Sequence, residues 1–164
     1  MITLTINKNI TKGYVFILAA FFTVLSFTSL GNNYAITAKV GEVTFDYSNN
    51  DGSYFIGSGE ALFEINFSSA SNRAIHVYKD PSSIQKVALA YDADSFADIG
   101  DAKRLDYSSR TRTPRTNEIV VLVNESGYYA TILIKEVRAR SHGSKRDKVT
   151  FSYLINDKQS SVFN

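Results

Sequence analysis

The sequence predicts one all-β domain, an antiparallel sandwich or open barrel of about seven or eight strands, preceded by an N-terminal export segment. Three observations carry this. The stretch 118–155 reads as a three-strand meander, in which EIVVLVNESGYYATILIKEV holds two strands and a turn and KVTFSYLI a third. Further short alternating segments, separated by Asn-, Asp-, Gly- and Ser-rich turns, fill the chain from 42 to 91. No heptad, internal repeat or long amphipathic helix competes with them.

In the meander, Ile119 to Val123 is a continuous β-branched and aliphatic run bounded by polar residues. A run so short suits a strand covered on both faces. Asn124-Glu125-Ser126-Gly127 is a hairpin loop, closed by a glycine that takes positive φ without a Cβ clash. On the return strand, Tyr128, Ala130, Ile132 and Ile134 face one way. Tyr129, Thr131, Leu133 and Lys135 face the other, which meets water at its far end. Val149, Phe151, Tyr153 and Ile155 alternate with Thr150 and Ser152, a pattern that Leu154 breaks.

Residues 1–35 read as a signal peptide. Lys8 and Lys12 give a basic start, 14–27 (YVFILAAFFTVLSF) an apolar core, and Ser29-Leu30-Gly31 a small-residue cleavage site, with Ala35 as a second candidate. The apolar core is shorter than the ~20 residues of a membrane span. Extended to Leu30 it becomes an uncleaved anchor with the basic end inside, the alternative reading. The expected location is therefore periplasmic or secreted, or the inner membrane if the segment is retained. The chain has no cysteine, which excludes a lipoprotein anchor and disulfides, so the domain 36–156 must be held by its core. The tail 157–164 is polar and expected to fray, with Val162 and Phe163 able to dock.

Within the domain, 42–47 (EVTFDY) and 53–56 read as a hairpin around Asn49-Asn50-Asp51-Gly52. Strands follow at 60–68, 74–78 and 87–91. Residues 91–116 show no period beyond one helical turn near 95–99; a loop this long is uncommon and often functional.

Charge is segregated. Apart from Lys8 and Lys12 the chain is neutral, but 36–102 is acid-rich and 103–148 base-rich. Either the two sets make opposite faces or they pair in the fold. Arg110, Arg112 and Arg115 in SSRTRTPR, with Arg138, Arg140, His142, Lys145 and Arg146 in RARSHGSKR, form the candidate ligand-binding set. Guanidinium forks bind carboxylate, sulfate or phosphate in bidentate fashion. The two segments flank the central hairpin and so reach the same end of its sheet. A solvated charged surface is the competing reading. The expected partner is an anionic ligand, a glycan or an envelope protein; a neutral exported domain does not suit nucleic acid.

Other chemistry has less support. Asp92, Asp94, Asp98 and Asp101 start like a calcium loop, but Phe96 and Lys103 stand where ligands are needed. No metal or cofactor is therefore expected, and a polar surface loop is the simpler reading. His76 and His142 are the only histidines, and no catalytic set is assigned. Ser83-Ile84-Gln85-Lys86 matches an acyl-enzyme motif without its companions. Tyr78, Tyr91, Tyr107, Tyr128 and Tyr129 suit flat sugar binding or plain packing, and the absence of Trp favours packing. Asn66 and Asn124 sit in glycosylation patterns that matter only in a eukaryotic secretory pathway.

The segments Asp106-Tyr107-Ser108-Ser109-Arg110, Arg112-Thr113-Pro114, Glu118-Ile119-Val120-Val121, Asn124 with Gly127-Tyr128-Tyr129-Ala130, and Arg146-Asp147 with Val149-Thr150-Phe151 resemble a group of small exported bacterial β-rich proteins, as does 67–78 (FSSASNRAIHVY). The resemblance implies bacterial origin and a β-rich module, and carries no activity. The function expected is a non-enzymatic binding or interaction module. A small envelope hydrolase and a structural surface subunit are the alternatives.

Overall fold

The computed structural model describes residues 39–156 and 158–163. Residues 1–35, expected from the sequence to be an export segment, lie outside them. Among the described residues no helix is long and apolar enough to cross a membrane.

The described chain is all-β, with nine strands in two antiparallel sheets. These are β1 (Val40–Phe45), β2 (Ser53–Ile56), β3 (Phe63–Ser69), β4 (Ile75–Tyr78), β5 (Ile84–Ala90), β6 (Thr111–Arg112), β7 (Ile119–Asn124), β8 (Tyr129–Arg138) and β9 (Lys148–Ile155). One sheet runs β1-β9-β8-β7-β5 and the other β2-β3-β4-β6, so the architecture is a sandwich and not a closed barrel. The predicted meander is present as β7, β8 and β9.

Alternation decides which face of each strand enters the sandwich. Ile56, Phe63, Ile65, Phe67, Ile75 and Val77 of the smaller sheet meet Val120, Leu122, Ile132, Ile134, Phe151 and Tyr153 of the larger. Phe67 and Phe151 stack with centroids 5.4 Å apart. The larger sheet has a second covered face. Ala90, Ile119, Val121, Val123 and Tyr129 pack there under Ile99, Ala102 and Phe163. Every residue of β7 is therefore buried, which accounts for its unbroken apolar run.

The long aperiodic stretch is the cover of that second face. It forms short 3-10 turns at Phe96–Asp98 and Ala102–Arg104, the first close to the turn expected at 95–99. The Ser95 hydroxyl and Asp98 carboxylate close the first in a reciprocal cap. The tail docks instead of fraying: the Ala102 N–H donates to the Ser161 carbonyl at 2.9 Å, the Ser161 hydroxyl to Asp101 at 2.6 Å, and Phe163 is buried. One apolar side chain and a few hydrogen bonds outweigh the polarity of the segment.

The hairpin expected between 42–47 and 53–56 does not form. β1 pairs with β9 and β2 with β3, in different sheets. The turn itself is as read: Asn50, Asp51 and Gly52 all have positive φ. A Cβ at Gly52 would lie 2.1 Å from the Phe67 carbonyl oxygen, so glycine is required there. Turn chemistry specifies a reversal, not the strand that receives the chain. Here the reversal carries the chain from one sheet to the other.

Asn124 ends β7 and joins the layers. Its buried amide donates to the carbonyls of Glu60 (2.7 Å) and Leu62 (3.1 Å) and accepts from the Tyr128 N–H (2.8 Å). Asn66 donates to the Asp51 carbonyl at 2.8 Å. Both amides in the glycosylation patterns are thus engaged by backbone carbonyls of the domain, Asn124 buried and Asn66 half-buried.

Candidate functional site

The arginine segments divide by environment. Arg110 grips Asp80, with Nη2 at 2.6 Å from Oδ2, and this contact raises the guanidinium pKa. Arg112 turns inward beside the open edge of β5, its side chain 12% exposed. It donates to the carbonyls of Val87 and Asp106 and pairs with the Asp106 carboxylate at 2.9 Å. The Ser108 hydroxyl and N–H, then Arg112, lower the Asp106 pKa to about 2. Arg138 shares Glu136 with Lys148, at 2.8 and 2.7 Å. Arg140 holds Asp147 by its backbone N–H and its Nε, and both contacts lower the Asp147 pKa. These four arginines each have a carboxylate within the domain.

Arg115 differs. The chain around it bridges to the start of β4, with Ala74 opposite Arg115, and the Thr116 N–H donates to the Arg73 carbonyl at 2.8 Å. Ser71, Arg73, Ala74, Arg115 and Thr116 line a recess of about 600 Å³. Among the described residues neither the Arg73 nor the Arg115 guanidinium has an acidic partner; Glu118 is taken by the Arg115 backbone N–H at 2.8 Å. The Ser71 hydroxyl accepts the N–H groups of Arg73 and Ala74, both at 3.0 Å, and fixes the turn that presents Arg73.

The second arginine segment reaches the same end of the sandwich through residue 72. Asn72 donates to the His142 carbonyl at 2.7 Å and accepts the Ala139 N–H at 2.8 Å, while Ser69 and Ser141 share a hydrogen bond at 2.8 Å. The strand between Ala74 and Tyr78 separates this end from Arg110, which sits beyond Tyr78 with Asp80. The shared end inferred from the meander therefore gathers Arg115 with 139–142, and Arg110 lies away from it. Arg146 and His142 are exposed in the connection between β8 and β9. Arg73 and Asn72 escaped sequence reasoning. Arg73 is the one arginine of the acid-rich stretch 36–102, beside Lys39, Lys79 and Lys86, and its only local sign is the Ser71-Asn72-Arg73 turn.

The acidic loop is committed to local structure. Asp98 accepts from the N–H groups of Asp94 and Ser95 and from the Ser95 hydroxyl, and Asp101 from the Lys103 N–H and the Ser161 hydroxyl. These donors lower both carboxyl pKa values, the Ser95 and Ser161 hydroxyls most. Among the described residues no group of three metal-ligating side chains converges. His76 contacts Thr113 at 2.8 Å and His142 contacts Ser141 at 3.0 Å. No carboxylate is bonded to either ring among the described contacts, so neither histidine has the orienting partner of a nucleophile–base pair. The tyrosines scatter: Tyr107 and Tyr129 pack in the second core, Tyr78 bonds Ser68 at 2.8 Å, Tyr128 lies 3.3 Å from Glu60, and Tyr91 is exposed.

No family model matches the chain, and no curated protein matches its sequence.

Proposed function

We propose that this protein is a non-enzymatic binding module of the bacterial periplasm or cell exterior. It holds an anionic group of a glycan or envelope partner in the Arg73–Arg115 recess. The reading rests on one observation: Arg73 and Arg115 both line this recess, both are exposed, and neither has a carboxylate partner among the described residues, whereas Arg110, Arg112, Arg138 and Arg140 are paired. A guanidinium without an internal partner keeps its full capacity for a bidentate oxyanion contact. Export supports an envelope partner, and the pattern of residues 1–35 supports export.

Thermal denaturation of the full chain with dextran sulfate, polygalacturonate and inorganic phosphate tests the proposal, with uncharged dextran as control. A ligand of the folded state raises the midpoint by mass action. The anionic probes are expected to raise it and added salt to erase the rise, because exposed charges are screened beyond ~10 Å at 0.1 M. Equal midpoints with dextran and with every anionic probe refute the proposal.

A further inference from the structure

Among the described residues, β1 is the one edge strand that is long, regular and uncovered. At the other edges, β6 has two residues and β2 four, while β5 carries a register shift between Ile84 and Lys86 and is approached by Arg112 through the Val87 carbonyl. β1 has six residues, a regular ladder to β9, no proline and no bulge. Its only charge is Glu42, whose carboxylate is held by Lys135 at 2.8 Å. Such an edge presents unpaired backbone donors and acceptors to another strand.

Which groups are unpaired follows from parity. The Ile155 N–H donates to the Lys39 carbonyl at 2.7 Å, and Gly41, Val43 and Phe45 continue that ladder opposite Tyr153, Phe151 and Val149. In an antiparallel pair the hydrogen-bonded positions alternate. Val40, Glu42 and Thr44 therefore direct their N–H and C=O groups to the open side. Their side chains are the exposed ones of β1, with Val40 61% exposed.

We infer that β1 pairs with β1 of a second copy of this chain, antiparallel, across a two-fold axis through Val43. Parity and charge select that axis. An axis at Glu42 would set two carboxylates opposite each other, and one at Thr44 would set Glu42 against Asp46; like charges directly opposed are destabilising. An axis at Gly41 leaves Thr44 outside the reciprocal pairs. At Val43, Glu42 faces Thr44 and Val40 faces Asp46, so no like charges meet. Val43 then faces its own copy as a non-hydrogen-bonded pair. The strand is self-complementary in this register, and the two larger sheets become one continuous antiparallel sheet, an isologous contact.

The test uses the full chain in a mild detergent, which shields the apolar 14–27 run from driving association. Sedimentation is expected to give a dimer, and Val40→Lys with Thr44→Lys a folded monomer. The chain has no cysteine, so a single one reports register. Val43→Cys is expected to form an intermolecular disulfide at least tenfold faster than Glu125→Cys in an exposed loop. The Cα atoms of a non-hydrogen-bonded pair lie about 4.5 Å apart, within disulfide reach. A wild-type monomer at about 0.1 mM overturns the inference. So does a dimer that survives the two lysines, a Val43→Cys rate no faster than the control, or a monomer that takes its extra strand from a different protein. Val43 packs against the core, so the lysine pair supplies a readout independent of that side chain.

Discussion

The outer face of the larger sheet and the recess at Arg73 and Arg115 are built from opposite economies. On the sheet, the 91–107 cover and the 158–163 tail satisfy almost everything they touch: Asp98 and Asp101 cap turns, the Tyr107 hydroxyl donates to the Ala102 carbonyl at 2.8 Å, and Phe163 is buried. At the recess, two guanidinia project without a carboxylate among the described residues. Internally satisfied groups contribute to holding the fold, whereas unsatisfied exposed charges cost the fold little and keep their capacity for a partner. The long loop, which sequence logic associates with function, is the structural region. The short turn at 71–74 is the functional candidate.

Substitutions sharpen this contrast, and their effects on stability should fall in a definite order. Val121→Asp places an unpaired carboxylate between β7 and the cover, a cost of several kcal/mol against a total stability of about 5–15 kcal/mol. The variant should show no cooperative unfolding by circular dichroism, and a folded variant would show that this face is not sealed. Phe163→Ala should lower stability by about 2 kcal/mol in urea titration, the burial of one aromatic side chain. An unchanged midpoint would mean that the tail does not hold the cover.

Asp106→Asn should have a smaller effect, and one that depends on pH. The folded-state pKa of Asp106 is about 2, below its ordinary 3.8. Its contribution is therefore fully present above about pH 4 and is lost as pH falls through about 2. Wild type and variant should differ in urea midpoint at neutral pH and converge near pH 2. A gap that is independent of pH would assign the effect to packing. Arg73→Ala with Arg115→Ala should leave the midpoint unchanged, because exposed charges without partners contribute little.

Much of the fold was legible in the residues. β7, β8 and β9 follow from the apolar run 119–123 and the alternation at 149–155, and the loop glycine Gly127 does take positive φ. The partner of β1 was not legible: Val43 and Phe45 alternate correctly for either sheet, and only the packing of Phe45 against Tyr54 and Phe67 settles it. β6 is too short to leave a period. The candidate arginines were recognisable as a set, but their division was not: Asp80 reaches Arg110 from 30 residues away, and Asp106, Glu136 and Asp147, although only 6, 2 and 7 residues from their arginines, are local neighbours whose pairing no sequence pattern marks. Arg110 and Asp80, for example, meet because β4 pairs with β6 and the Lys79 N–H extends that ladder to the Arg110 carbonyl at 3.0 Å. Arg73 needed the bridge between Ala74 and Arg115 to become visible.

The most direct test is calorimetric titration of the full chain with dextran sulfate, comparing wild type, Arg73→Ala/Arg115→Ala and Arg110→Ala/Arg138→Ala. The account predicts that the first double variant loses affinity at least tenfold while keeping its unfolding midpoint, and that the second binds within about twofold of wild type, because its guanidinia already serve Asp80 and Glu136. Equal losses in both variants would mean that binding reports overall positive charge, and would contradict a recess site.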